Sequence, residues 1–318
     1  MTAALRPDWY LRGLRLRHLR LLTVLGDVNN VGEAARRMAT TQPAVSKMLA
    51  ELEALVGVSL FTRTSKGTYP TQHGASMIRH ARWVLGDLDR LGQEWGEQGA
   101  SSVERIVIGI NSSSSAFLVP DALLRLELRA LPVTVVVREA SIEALLPDLF
   151  TRKLDLVIAR LGAATQHIDL LQQVLFEEPM CVVAALDHPL GEIGECSWQA
   201  LASHPWILPP QGSPVRAGLD MLFLREGVQP RASVESASVL NNLVLMDGSR
   251  ALSLLPRAVA RFHAKRHGLR ILPVFLPQVF GPLGVVRHES LQLSTAMQTL
   301  IACLKETVAA MALADTDA

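Results

Sequence analysis

The stretch Ala34-Ala35-Arg36-Arg37-Met38-Ala39-Thr40-Thr41-Gln42-Pro43-Ala44-Val45-Ser46-Lys47 decides how this chain is read. It is the end of one short helix, a tight joint and the start of another. Thr40 or Thr41 can cap the second helix, and Pro43 falls in its first turn, where a missing N–H costs nothing. Val45, Leu49, Leu52 and Leu55 then recur in steps of three and four, and Gly57 closes the helix. The alanine pair lets the preceding helix pack closely. Two helices joined this tightly can lay the second in the major groove of DNA. Its leading turn carries Thr41, Gln42, Pro43, Ser46 and Lys47. Glutamine can pair with adenine through two hydrogen bonds, and serine or threonine can serve bases or phosphates. Arg36, Arg37 and Lys47 suit phosphates, which position a protein without specifying sequence.

Working outward, Leu16, Leu19, Leu22, Val24 and Leu25 give a first helix one apolar face, and Val31 to Met38 a second helix with Ala34, Ala35 and Met38 inward. Leu60–Arg63 and Thr68–Thr71 are short extended runs around Ser65-Lys66-Gly67, a small hairpin. Arg63 and Lys66 on this wing would follow the DNA backbone or enter the minor groove. Charge agrees. Residues 1–82 hold 12 Lys/Arg against 5 Asp/Glu, and the rest of the chain 19 against 25. A basic front end on a mildly acidic body suits a polyanionic partner.

The chain of 318 residues, 19% of them charged, is long enough for two or three domains. Cys181, Cys196 and Cys303 form no CxxC pair, which argues against a disulfide scaffold or a zinc site and fits a cytoplasmic setting. Met1–Tyr10 lacks an apolar signal-peptide core, and no apolar run is long enough to span a membrane.

The run Ala34-Ala35, Thr41-Gln42-Pro43-Ala44-Val45-Ser46, Leu52-Glu53, Gly57, Leu60-Phe61-Thr62-Arg63, Pro70-Thr71 and Gly74 closely resembles the LysR-type transcriptional regulators. Thr41 stands where that family often has serine, and Pro70 where it often has an apolar residue. The resemblance covers nearly the whole chain. It implies an N-terminal all-α winged helix-turn-helix (1–71), a long linker and dimerisation helix with a hinge (72–102), and a C-terminal α/β effector-binding domain like a periplasmic binding protein (103–318). The last would have two subdomains, 103–177 with 281–318, and 178–280.

Met77, Ala81, Val84, Leu88, Leu91 and Trp95 are spaced 4, 3, 4, 3 and 4, a heptad seam on a helix of about 25 residues, roughly 38 Å long. Such a stripe pairs with a second copy or packs on its own domain. The resemblance favours dimerisation, with tetramers common in the family. From Val103, strands and helices alternate, as in βαβ units with a mostly parallel sheet. Strands are expected at 105–110, 133–137, 154–159, 180–185, 205–209, 231–235, 250–255, 270–275 and 285–287.

Ligands of such sheets bind at strand ends, against helix N-termini. Ser112, Ser113 and Ser114 follow the first strand, Gln211 and Ser213 another, and Ser238 a third; Arg160, after the strand ending at Ala159, either neutralises a ligand carboxylate or is a solvent-facing or salt-bridged arginine. The resemblance implies no cofactor but a small-molecule effector between the subdomains, often an organic acid in the family, with sugars and other metabolites left open. It further implies operator DNA and RNA polymerase as partners, no membrane, and activation of a catabolic or transport operon. No GxSxG, Walker or GxGxxG motif is present, so an enzyme is not indicated. The pair His263 and His267 lacks the glutamate of HExxH and reads as a solvated helix face. An export-type solute-binding protein and a ligand-free architectural DNA binder are the remaining rivals.

Overall fold

A computed structural model describes residues 10, 13–96, 103–111, 114, 117–192, 194, 196–277 and 279–316. The chain divides into two compact units, one of residues up to Ser101 with Phe150–Lys153, the other of the remainder.

In the first unit, α1 (Leu16–Val28), α2 (Val31–Arg37) and α3 (Gln42–Val56) precede a hairpin of β1 (Phe61–Thr64) and β2 (Gly67–Pro70), then the long α4 (Gln72–Gly96). The caps follow the sequence. Thr41 Oγ1 accepts from the Ala44 N–H at 3.4 Å, and α3 ends at Gly57 with φ +88°. Asn30 caps α2, accepting from the Glu33 N–H at 2.9 Å. Leu19, Leu22 and Leu25 enter the core as expected, joined by Leu21, whereas Leu16 is exposed and Val24 half-buried. The buried arc is shifted because α4 covers a second side of α1: a Cβ on Gly26 would lie 2.8 Å from Ile78 Cδ1. On α3 the last core position is Val56 rather than Leu55. In the hairpin Phe61 faces Pro70 and Thr64 faces Gly67, so Ser65 and Lys66 alone connect the strands. Pro70 occupies the terminal pair, where its missing donor does least harm.

The second unit holds two five-stranded sheets. One has the order β4 (Val133–Glu139), β3 (Glu104–Ile110), β5 (Leu156–Arg160), β12 (Leu283–His288) and β6 (Leu170–Phe176). The other runs β11 (Leu269–Ile271), β7 (Met180–Ala185), β10 (Leu252–Pro256), β8 (Pro205–Leu208) and β9 (Arg231–Glu235). The main helices between them are α5 (Leu118–Glu127), α6 (Ile142–Phe150), α7 (Trp198–Ala202), α8 (Pro214–Arg225), α9 (Val239–Asp247) and α10 (Arg257–His267), with α11 (Thr295–Thr316) last. The chain crosses between the sheets after β6 and returns before β12.

Those crossings correct the expectation of a mostly parallel sheet. β3 pairs parallel with β4 and β5, and β8 with β9 and β10. β12 runs antiparallel to β5 and β6, and β7 antiparallel to β10 and β11. β6 went unrecognised because it is an edge strand with Leu171 and Val174 exposed, so its apolar residues mark no inward face. The central strands are buried on both sides: Met180, Val182 and Ala184 enter one core cluster, Cys181 and Val183 the other. This accounts for their uninterrupted apolar sequence.

Candidate functional site

The leading turn of α3 is open. Thr41, Gln42, Pro43 and Lys47 are exposed and Ser46 is half-buried, as the turn from α2 requires; Arg36, Arg37, Arg63 and Lys66 are exposed as well. Capping uses an acceptor lone pair of Thr41, so its hydroxyl proton remains to be donated. Arg36 Nη2 lies 2.5 Å and Arg37 Nε 3.4 Å from the Glu33 carboxylate. Exposed pairs of this kind hold by about 0–1 kcal/mol and give way readily to a phosphate. The wing is fixed by its own backbone: the Lys66 N–H donates to Thr64 Oγ1 at 3.2 Å, and the Tyr69 hydroxyl to the Lys66 carbonyl at 3.3 Å. Glu53 contributes as well. Its Oε1 accepts from the Leu60 and Phe61 N–H groups at 2.7 and 3.1 Å, tying α3 to the wing. The signal was the Leu52-Glu53 pair in the family pattern.

The heptad stripe of α4 divides in two. Ala81 is 1% exposed and Met77 packs on the core of its own unit, so neither belongs to an open seam. The reason is local: the first turns of α4 close the helical bundle, with Ile78 against α1 and Arg82 Nη2 2.5 Å from Asp27 Oδ1. Val84, Leu88, Leu91 and Trp95 are exposed, the tryptophan by 67%.

In the second unit a cavity of about 470 Å³ lies between the two sheets, within the size range of small-molecule pockets, ~300–1,000 Å³. Gln211 lines it. Several other expected ligand contacts are reassigned. Ser112 and Ser113 lie outside the described residues. Ser114 is fully buried, and its hydroxyl donates to Asn111 Oδ1 at 2.6 Å; Asn111 takes its place at the cavity wall. Ser213 lines the cavity with its proton already committed. It caps α8 by accepting from the Arg216 N–H at 3.2 Å, and its proton goes to the Pro210 carbonyl at 2.8 Å. Ser238 caps α9 by accepting from the Asn241 N–H at 3.3 Å, and Ser236 and Ala237 line the wall beside it. Asn242 and Ser253, which sequence reading passed over, are buried wall residues joined by a hydrogen bond of 3.3 Å. An apolar helix and an apolar strand hid them.

For Arg160 the structure takes the salt-bridged alternative. It lines the cavity, yet it is 3% exposed and already neutralised, in an ion pair with buried Glu178. Its Nη1 donates to the Gly281 carbonyl at 2.6 Å, and Nη2 contacts Met180 Sδ at 3.2 Å. Glu178 and Gly281 lie on the two segments that cross between the sheets, so one guanidinium ties both crossings. Burial pushes the Glu178 carboxyl up and the guanidinium down, each opposed by the other's charge. Elsewhere, burial raises the Cys181 thiol to about 12, which leaves it inert.

The helix-turn-helix model described as "Bacterial regulatory helix-turn-helix protein, lysR family" matches residues 16–75, and the LysR substrate binding domain matches residues 99–309. The chain is 31% identical over 304 residues to the HTH-type transcriptional regulator GbpR of Azospirillum brasilense, covering 94% of this chain and 88% of that protein. It is 28% identical to the HTH-type transcriptional regulator GalR of Pseudomonas putida, over 92% of this chain and 74% of that one. Its fold is shared by a full-length OxyR variant from Pseudomonas aeruginosa, with TM-score 0.58, 23% identity and coverage of 93% and 95%. It is shared too by full-length CbnR complexed with its target DNA, with TM-score 0.53, 18% identity and coverage of 92% and 99%. The sequence relatives are transcriptional regulators, not enzymes. The chain belongs to the LysR family of DNA-binding transcriptional regulators, with the helix-turn-helix at its front and the family's effector-binding domain behind it.

Proposed function

We propose that this regulator sits on operator DNA as a symmetric oligomer in the cytoplasm and activates a catabolic or transport operon when a small molecule fills the cavity of the second unit. Residues 1–71 bind DNA, 72–102 link and pair the chains, and 103–318 sense the effector. The observation that carries this reading is the pairing of a capped, solvent-open α3 turn with a cavity of about 470 Å³ elsewhere in the chain. Gln42 and Ser46 would read base edges. Thr41, Arg36, Arg37, Lys47, Arg63 and Lys66 would hold phosphates. The exposed part of the α4 stripe, Val84 to Trp95, supports pairing of two chains. Exposed Leu124 of α5 and Leu128 just after it, with Met221 and Leu224 of α8, offer apolar surface for a second contact and hence a tetramer. An effector that favours one arrangement of that assembly changes DNA bending and the access of RNA polymerase.

The test is footprinting on the intergenic DNA beside the regulator's own gene, followed by transcription in vitro. Protection of a site with dyad symmetry, resistant to scrambled competitor DNA, is expected, together with transcript that rises when effector is added. Protection lost equally to scrambled DNA would refute specific recognition, and repression under all conditions would refute the activator role.

A further inference from the structure

We infer that the effector is an uncharged, hydroxyl-bearing molecule, and that Glu178 sets this preference by occupying, from within the protein, the place a ligand carboxylate would take on Arg160. The inference rests on the reading of the cavity as the effector site.

A ligand carboxylate is held best by two parallel N–H donors of one guanidinium. On Arg160 one terminal nitrogen faces Glu178 and the other donates to Gly281 at 2.6 Å. An acid that takes this place on Arg160 would have to evict Glu178, leaving a second carboxylate buried without its counter-charge, which is strongly unfavourable. Among the described wall residues the other ionic side chain is Glu143, which repels an anion.

What the wall leaves unsatisfied has a different chemistry. Arg160 Nε, a donor, and Asn242 Oδ1, an acceptor, are both buried without a hydrogen-bond partner, on residues 3% and 6% exposed. A buried polar atom left unpaired is unfavourable, so a small side-chain shift that brings either atom to the cavity is favoured by a ligand that completes it. Arg160 Nε needs an oxygen lone pair. Asn242 Oδ1 needs a proton donor, which an ionised carboxylate lacks and a hydroxyl has. A hydroxylated compound supplies both. The remaining wall is largely apolar, with Ile142, Val215, Val239 and Leu254 able to cover a carbon skeleton.

Matched neutral and acidic probes test this on the full-length protein: D-xylose against D-xylonate, and benzyl alcohol against benzoate, by isothermal titration. In the wild type each acid should bind at least tenfold more weakly than its neutral partner. Glu178→Gln, which releases Arg160, should strengthen an acid at least tenfold. An acid that matches its neutral partner on the wild type, or no gain for either acid in Glu178→Gln, overturns the inference. Should Glu178→Gln fail to fold, the double variant Arg160→Met/Glu178→Met takes over, because apolar replacement of a buried ion pair is often tolerated. It should still bind the neutral probes, more weakly by the contact that Arg160 Nε supplied, and the acids no better. Acid binding that the wild type has and this variant loses would place acids on Arg160 and overturn the inference. Ala237→Trp, at an exposed position of the wall, fills the cavity. Binding that survives it would mean that the cavity reading itself has failed, whatever the ligand's charge.

Discussion

His188 is held neutral by both of its ring nitrogens. Nδ1 accepts from the Leu190 N–H at 3.2 Å, and Nε2 lies 3.3 Å from the Arg250 carbonyl, so Nε2 carries the proton. Burial, then the neighbouring His204, lowers its affinity for a second proton below the ordinary value of 6.5. His18 is lowered too, by burial and by Arg17. The folded chain thus binds these protons less readily than the unfolded chain. Stability is full above about pH 6.5 and is lost as pH falls through the lowered folded values. The melting temperature should fall between pH 7 and 5, and His188→Gln, though less stable at pH 7, should fall less steeply; an unchanged slope would exclude His188 as a source. On the DNA face, a bidentate side-chain contact to a base is worth about 1–3 kcal/mol. Gln42→Ala should therefore weaken operator binding about tenfold in a mobility-shift titration and leave scrambled DNA unaffected. Equal loss on both sequences would make Gln42 a mere phosphate contact.

At the scale of elements, the junction of wing and α4 depends on one glycine. A Cβ on Gly74 would lie 1.9 Å from the Leu60 carbonyl oxygen. Thr71, beside it, caps α4 by accepting from the Gly74 N–H at 3.1 Å and donates to the Ser59 carbonyl at 2.9 Å. Gly74→Ala must push α4 away from the hairpin and should cost about 3 kcal/mol, read by chemical denaturation. A change under a few tenths of a kcal/mol would show that the junction is loose. The wing itself acts through charge. Arg63→Ala should weaken operator and scrambled DNA alike and reduce the slope of log affinity against log salt by about 0.9. Loss confined to the operator would instead assign Arg63 to base reading.

For the whole molecule the open question of assembly falls on the distal half of α4. A helix face with Val84, Leu88, Leu91 and Trp95 exposed gains by pairing, since a fully buried leucine contributes about 1.5–3 kcal/mol. Leu88→Glu puts a charge into that pairing. Mass by light scattering should fall and operator binding weaken with it, while the helical spectrum stays unchanged. Retained mass would move the assembly contact to another surface.

The helix-turn-helix was legible because its determinants are local. The cap at Thr41, Pro43 in a first turn, Gly57 at φ +88° and the period of Val45, Leu49 and Leu52 each act within a few residues along the chain. Most of the βα alternation was legible for the same reason, and the edge strand β6 was not. Residue type and position after a strand also led to the region of the cavity, as Gln211 and Arg160 show. What a polar side chain does there depended on partners far along the chain, and tertiary structure alone supplied those. Arg160 meets Glu178 and Gly281, 18 and 121 residues away, and Asn242 meets Ser253 across 11. Serines that looked like ligand contacts became helix caps. The same fold decided that Ala81 closes a core while Leu88 stays exposed on one heptad stripe, because only the packing of α1 against α4 determines where the bundle ends.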